Sequence, residues 1–408
     1  MNKIKLTANI LFSGIGCQER GFQNSNLFDL EVLNTSEINK EAVLTYAAIH
    51  CGLNENLINT YTDYPTRKEM AQHLTDINFG YDPEKDKYVD WLKIAKKKNK
   101  DIEKYWLACK LSNNLGDISK IQELPYADLW TCSFPCTNIS RAGKMRGLKP
   151  DSGTSSSLLW ENMKLLAKAK ENNTLPKYIM FENVSNLVSE RFINDFNDLI
   201  SILDKDLGYN TYWKILNAKD CKIPQNRERV FVFCIRKNID NKEFSFPKPI
   251  QSNITINDIL DDYFDSKYWL SDQIQERLQI TDPTFSKNII GTTKPEFRKI
   301  GQRDVVYNKN SIMGTLLATD YKQPKQILED NGKVRKITPN ECFKLMGLTS
   351  EDCEKARELG LADMNLYKQA GNGIVTNCCE LIAEHLYKAQ YNSTFICTDN
   401  MIDVINTM

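Results

Sequence analysis

The residues best suited to chemistry stand where strand-like runs are forced to stop. Asp128-Leu129-Trp130-Thr131-Cys132 reads as a buried strand, and Ser133-Phe134-Pro135-Cys136 ends it. Pro135 has no amide to donate, so ladder pairing cannot pass it. In an open α/β sheet the carboxyl ends of strands are where ligands bind. Cys136 is therefore either a small buried hydrophobe or a nucleophile, whose thiolate needs cationic neighbours. Glu182 and Asn183 end a second such run, Tyr178–Val184. Strand ends of one sheet share a rim, which would let a thiolate and a carboxyl group face one bound base. Gln225, Arg227 and Arg229 follow at period two, the spacing of one strand face. A buried face with two arginines needs acceptors, such as a carboxylate or a phosphate.

A glycine loop lies near the amino terminus. Lys3 to Phe12 reads as a strand, Ser13-Gly14-Ile15-Gly16 as a tight turn, and Gln18 to Phe22 opens a helix. Such a loop is either a mere turn or a nucleoside site, with close backbone approach and free amides. Glu37 ends the next strand, where a carboxylate takes ribose hydroxyls. The glycine spacing is not the GxGxxG of nicotinamide enzymes. A cofactor with a ribose but no pyrophosphate fits better, and S-adenosylmethionine is the candidate.

These sites need a frame, and the rhythm of the chain supplies one. Further strands are expected at Val32 to Glu37, Thr211 to Ala218 and Val230 to Ile235. Helices are expected at Lys40 to Ile49, Leu158 to Lys170 and Arg191 to Leu203. Strands alternating with helices imply a doubly wound, mostly parallel sheet of the Rossmann-like kind. The expected catalytic domain spans residues 1–245, with a polar insertion at about 53–114. That insertion carries a lysine run, Lys93 to Lys100, as a solvated helical face or a DNA contact. Residues 246–350 are turn-rich without a clear period and form a smaller irregular domain. Thr338-Pro339-Asn340-Glu341 starts a helix with a capping box and proline at the first position. Residues 351–408 are expected to return to the catalytic domain.

Bulk properties narrow the classes. The 408 residues are 41% hydrophobic with a formal net charge of +0, so nucleic-acid binding must rest on local basic patches. Twelve cysteines without a signal peptide suit reduced thiols and a cytoplasmic location. Cys132 and Cys136 lack a second ligand pair, so no metal is expected. No apolar run reaches the roughly 20 residues of a membrane span. The three histidines, His50, His73 and His385, lie outside every motif, which disfavours hydrolase triads.

Taken in order, these motifs resemble the cytosine-5 DNA methyltransferases of bacteria and phages, over nearly the whole chain. Leu11-Phe12-Ser13-Gly14-Ile15-Gly16 resembles the opening motif, and Gly116-Asp117-Ile118 the segment that contacts adenine. Phe134-Pro135-Cys136 with Ser140 resembles the catalytic loop, and Glu182-Asn183-Val184 the base-holding motif. Gln225 to Arg229 resembles the QxRxR motif, and Arg335 to Cys342 the late motif that supports the recognition domain. Tyr367 to Val375 resembles the final motif, which closes the cofactor site. Two positions depart from the pattern: Thr137 follows the cysteine, and Gly373 stands where serine is usual.

The resemblance implies a mechanism. Cys136 adds to carbon 6 of cytosine, Glu182 holds and protonates nitrogen 3, and Asn183 orients that carboxyl group or the exocyclic amine. Arg229 touches the base carbonyl and Arg227 organises the site. Phe12, Ser13, Gly14, Ile15, Gly16, Glu37, Ile38, Asp117, Ile118, Pro135, Asn372 and Gly373 surround the cofactor. The target base must flip out of the duplex. Ser140, Arg141, Lys144, Arg146 and Gln225 are expected on DNA, with Arg298, Gln302 and Arg303 reading base edges. Double-stranded DNA is the implied partner of a monomer of either the restriction-modification type, with a cognate endonuclease, or the orphan type. A tRNA cytosine methyltransferase is the rival, but its late Cys-Phe-Thr signature is absent: Lys344 follows Cys342-Phe343. A non-catalytic relative would lose Cys136 or Glu182, and this chain keeps both.

Overall fold

The computed structural model describes residues 2–82, 85–135, 158–280, 288–297 and 304–400. They form two compact units. The first comprises residues up to Leu216, Glu228–Lys248 and the chain from Cys379; the second comprises Asn217–Arg227 and Pro249–Cys378.

The first unit is built on a six-stranded sheet. Its strands are β1 (Ile4–Leu11), β2 (Phe28–Ser36), β3 (Leu129–Cys132), β4 (Tyr178–Val184), β5 (Tyr209–Asn217) and β6 (Glu228–Arg236), in spatial order β2-β1-β3-β4-β6-β5. β1 to β4 pair in parallel, and β6 runs antiparallel to β4. Leu-Trp-Thr-Cys of β3 is buried throughout, as are Tyr178–Asn183 of β4. Both are central strands covered on two faces, which is why they read as continuous apolar runs. Helices α1 (Cys17–Asn24), α2 (Lys40–His50), α3 (Leu158–Glu171) and α4 (Ile193–Ser201) belong to the same unit. Asn39 caps α2 by accepting from the Ala42 amide at 2.8 Å. Leu159, Met163 and Leu166 of α3 and Phe196 and Leu199 of α4 pack with Trp130, Ile179, Phe181, Val230 and Val232 in one core.

The insertion is a folded helical lobe rather than a polar excursion. Helices at Glu55–Thr60, Arg67–Asp76 and Asp101–Leu111 bury Ile58, Leu74, Phe79, Trp91, Ile102 and Leu107. Thr66 and Glu69 form a complete capping box on the second helix.

The second unit departs from the expectation of irregular chain. It holds a five-stranded sheet of β7 (Leu278–Ile280), β8 (Ile289–Thr293), β9 (Val305–Asn308), β10 (Gln326–Leu328) and β11 (Val334–Lys336), in that order. Leu270, Val306 and Val334, flanked by Leu278 and Leu328, form one hydrophobic cluster of this unit. At three to five residues each, these strands give little alternation to read in sequence. The unit also extends past residue 350. Helices α5 (Pro339–Lys344), α6 (Ser350–Glu358) and α7 (Asp363–Asn372) pack together, and only the chain from Cys379 returns to the first unit.

The start of α5 anchors this unit. Thr338 and Glu341 form both halves of the capping box, with Pro339 in the first turn. Arg335, fully buried, donates to both carboxylate oxygens of Glu341 at 2.9 and 2.8 Å and to Glu329 at 2.6 Å. Its guanidinium also lies 4.1 Å over the Phe264 ring. Removing one partner of a buried pair leaves the other charge uncompensated, at a cost of about 3–5 kcal/mol. Arg335→Ala is therefore expected to lower the unfolding free energy of the second unit by about that amount, read as a lower urea midpoint. A urea titration with the parent midpoint would contradict it.

Candidate active site

Parallel pairing brings four strand ends to one rim. Leu11 of β1 is opposite Ser36 of β2 and Cys132 of β3, and Cys132 is opposite Phe181 of β4. The next residues, Phe12, Glu37, Ser133 and Glu182, stand side by side. Antiparallel β6 brings its amino-terminal end to the same edge, with Arg229 opposite Val184.

The glycine loop is tied to this rim at several points. The Ser13 amide donates to Ser36 at 3.1 Å, and the Gly16 amide to Ser13 at 2.9 Å. Gly16 has φ 82°, and a Cβ there would lie 2.2 Å from His50 Nε2, so only glycine fits. Around Gly14 nothing lies within 4 Å of a built Cβ, so its outer side is open to a ligand. Phe12 adopts a left-handed φ of 55°; Ser13 and Ile15 are buried.

His50 stands beneath this loop, a contact no motif announces. Its Nε2 lies 3.2 Å from the Ile15 carbonyl and its Nδ1 3.4 Å from Glu19 Oε1. The Tyr46 hydroxyl donates to the other Glu19 oxygen. Burial alone raises a carboxyl group, but His50 and Tyr46 hold Glu19 below its ordinary range.

Glu37 faces the loop. Its Oε2 accepts from the Gly14 amide at 3.1 Å and its Oε1 from the Asn39 amide at 2.7 Å. Each oxygen keeps acceptor capacity. Burial raises its pKa, partly offset by those amides. Asn114, at the end of the insertion, grips the Glu37 backbone, with its Oδ1 accepting from the amide and its Nδ2 donating to the carbonyl, both at 2.9 Å. The Ile38 carbonyl accepts from Gly80 at 2.9 Å and Tyr81 at 3.2 Å.

Asp117 corrects an expectation. Its Oδ1 accepts from the Ser119 amide and hydroxyl, and its Oδ2 from Asn78 and Tyr88. Against burial, these bonds hold its pKa below the ordinary value. Four donors saturate a carboxylate, so this side chain has no acceptor left for an adenine. Ile118 is buried beside it.

At the other half of the rim, Arg229 Nε lies 3.2 Å from Glu182 Oε1, and Glu182 is only 8% exposed. Asn183, expected to orient Glu182 or a base amine, bonds to backbone groups. Its Nδ2 donates to the Phe134 carbonyl at 2.9 Å, and its Oδ1 accepts from the Val184 amide at 2.9 Å. It holds the strand end that leads through half-buried Pro135 to Cys136. Gln18 steadies the same turn, donating to the Ser133 hydroxyl at 2.9 Å. Cys136, Ser140, Arg141, Lys144, Arg146, Arg298, Gln302 and Arg303 lie outside the described residues.

The QxRxR residues do not share one strand face. The strand breaks at Arg227, and Gln225 and Arg227 belong to the second unit. Gln225 is fully buried; its Nε2 donates to Leu345 at 2.8 Å and its Oε1 accepts from the Leu316 amide at 2.9 Å. Its amide is engaged in the core, so it is no DNA contact. Arg227 donates to three carbonyls: Leu316 at 2.8 Å, Gly371 at 3.0 Å and Gly373 at 2.8 Å. It fixes the end of α7, where Asn372 is exposed and Gly373 half-buried.

The family follows from comparison with known proteins. A family model described as C-5 cytosine-specific DNA methylase matches residues 91–388. The chain belongs to the C-5 cytosine-specific DNA methylases. It is 36% identical to the type II methyltransferase M2.ScrFI of Lactococcus lactis subsp. cremoris, covering 93% of this chain and 98% of that protein. It is 28% identical to the orphan methyltransferase M.SssI of Spiroplasma monobiae, covering 94% and 97%. The fold is similar to the crystal structure of the S. pombe Dnmt2 methyltransferase, with a TM-score of 0.54 at 16% identity, over 95% of this chain and 100% of that one. This C-5 methylase is thus a DNA (cytosine-5)-methyltransferase, with the mixed α/β fold of its class. Among its described residues no helix is long and apolar enough to cross a membrane.

Proposed function

We propose that the chain transfers the methyl group of S-adenosylmethionine to carbon 5 of a cytosine flipped out of a specific duplex sequence, through a Cys136 adduct. The observation that carries this reading is the Glu182–Arg229 pair beside the Phe134-Pro135 turn. A carboxyl group and a guanidinium match the ring nitrogen and carbonyl of one cytosine edge, and Cys136 follows directly. Cofactor binding is supported by the open space at Gly14 and by the acceptor capacity left on Glu37.

Carbon 5 of cytosine is too weak a nucleophile to attack a sulfonium methyl. Attack of the Cys136 thiolate at carbon 6 pushes electron density into the ring. Glu182 donates a proton at nitrogen 3 as charge develops there. Arg229 holds the ring carbonyl. S-adenosylmethionine, when bound, would supply an electrophilic methyl group to carbon 5 and leave as the neutral thioether S-adenosylhomocysteine. Loss of the carbon 5 proton to water then breaks the carbon–sulfur bond and frees the Cys136 thiolate, and the nitrogen 3 proton returns to the Glu182 carboxylate. Asn183 acts on this sequence only through the backbone that positions the cysteine.

Radiolabelled cofactor with duplex DNA and with tRNA as separate substrates tests the reading. Label should enter DNA, and bisulfite sequencing should place it at one recurring motif. Label confined to tRNA, or scattered without a motif, would overturn it. Glu37 gives a second test, by calorimetry. Glu37→Ala should weaken S-adenosylmethionine binding by about 1.5–3 kcal/mol, the range for hydrogen bonds to a charged group. The ionised carboxylate is the better acceptor, and its pKa is raised above 4.5. Affinity should therefore hold at neutral pH and fall on acidification, with a midpoint above the ordinary carboxylate value. Unchanged affinity in the alanine variant would leave Glu37 a strand-end residue only.

A further inference from the structure

The insertion ends one of its turns in a concentration of positive charge. Between Trp91 and Lys100 the chain carries Lys93, Lys96, Lys97, Lys98 and Lys100 and no carboxylate. All five are exposed, and none forms an ion pair among the described residues. In a chain of net charge +0 such a run is a local field, not part of a general basic surface.

The loop that displays these lysines is held in a defined shape. Arg67, on the neighbouring helix, donates through Nε to Ala95 at 2.9 Å and through Nη2 to Lys97 at 2.8 Å and Asn99 at 3.0 Å. Glu103 pairs with its remaining nitrogen. One guanidinium thus gathers three loop carbonyls and turns the backbone so that the lysines point outward. Trp91, 1% exposed and bonded through its ring nitrogen to Phe79 at 2.7 Å, roots the segment in the lobe. The lobe is fastened to the catalytic rim, through Gly80 to Ile38 and through Tyr88 to Asp117. A solvated charge run needs no such clamp; a surface that must meet a rigid polyanion gains from one, because less side-chain and loop entropy is lost on binding.

We propose that this lysine loop is a second DNA contact, gripping the phosphate backbone of the duplex without reading its sequence. It rests on the methylase reading for its partner, and it gives the insertion a role: retaining the enzyme on DNA between target sites.

The test uses the full chain with all five lysines changed to glutamine, and a poly(dA)·poly(dT) duplex that holds no cytosine. The slope of log affinity against log salt concentration should flatten by about 0.9 for each lysine that meets a phosphate. A flattening of about 2 or more, with affinity at low salt at least about tenfold weaker, is the expected result. Five Lys→Arg changes should keep the parent slope. On target duplex, KM for DNA should rise while kcat at saturating DNA stays at the parent value. A parent-like slope and affinity in the glutamine variant would overturn the proposal, as would loss of the slope in the arginine variant. Failure of the methylase reading would look different: the parent itself would methylate no duplex, while the slopes on cytosine-free DNA would still be measured.

Discussion

Cys136→Ala should abolish methyl transfer and leave duplex binding close to that of the parent. The thiolate is the only nucleophile in the scheme that adds to carbon 6, so its loss removes the route rather than slowing it. Binding should survive because phosphate contacts supply most of the affinity, and alanine removes none of them. Trapping sharpens the test. On a duplex with 5-fluorocytosine at the target, the parent should stall as a covalent complex, since fluorine at carbon 5 blocks the last elimination. The alanine variant should give no such complex on a denaturing gel. Turnover by purified Cys136→Ala would refute the covalent mechanism outright. The geometry behind the prediction is the end of β3, where Asn183 holds the Phe134 carbonyl and Pro135 ends the strand.

Glu182→Gln should lower the single-turnover rate by about 10²–10⁴, the usual contribution of a positioned proton donor. Glutamine keeps the shape but cannot deliver a proton to nitrogen 3. It also takes the carboxylate from beside Arg229 Nε, 3.2 Å away, so the guanidinium loses a charged partner at the rim. Because the effect falls on chemistry, KM for DNA should change far less than kcat. The pH dependence of the chemical step should lose the limb that belongs to this carboxyl group. A rate within tenfold of the parent, with its pH profile intact, would remove Glu182 from proton transfer.

Much of the scaffold was legible because strands and helices report their burial locally. β3 and β4 are buried on both faces, and their apolar runs stop at Cys132 and Phe181, so the reactive residues stand out just beyond. The start of α5 was equally plain, since Thr338, Pro339 and Glu341 are neighbours whose capping chemistry needs no distant partner. The five-stranded sheet of the second unit was not legible. Strands of three to five residues, such as β7 and β8, are too short to establish an alternation.

Within the site, residue types and strand ends were set by the sequence alone, and partners were not. Gln225, Arg227 and Arg229 keep period-two spacing, yet the strand breaks at Arg227 and their side chains meet different acceptors. Asp117 looked free for an adenine until Asn78 and Tyr88, brought in by the insertion, saturated it. His50 matches no motif, but α2 carries it beneath Gly16 and makes that glycine obligatory. The physical reason is common to all three. A sequence period records only which face of an element is buried. Which donor meets which acceptor depends on packing between residues tens of positions apart, and only the folded chain brings those together.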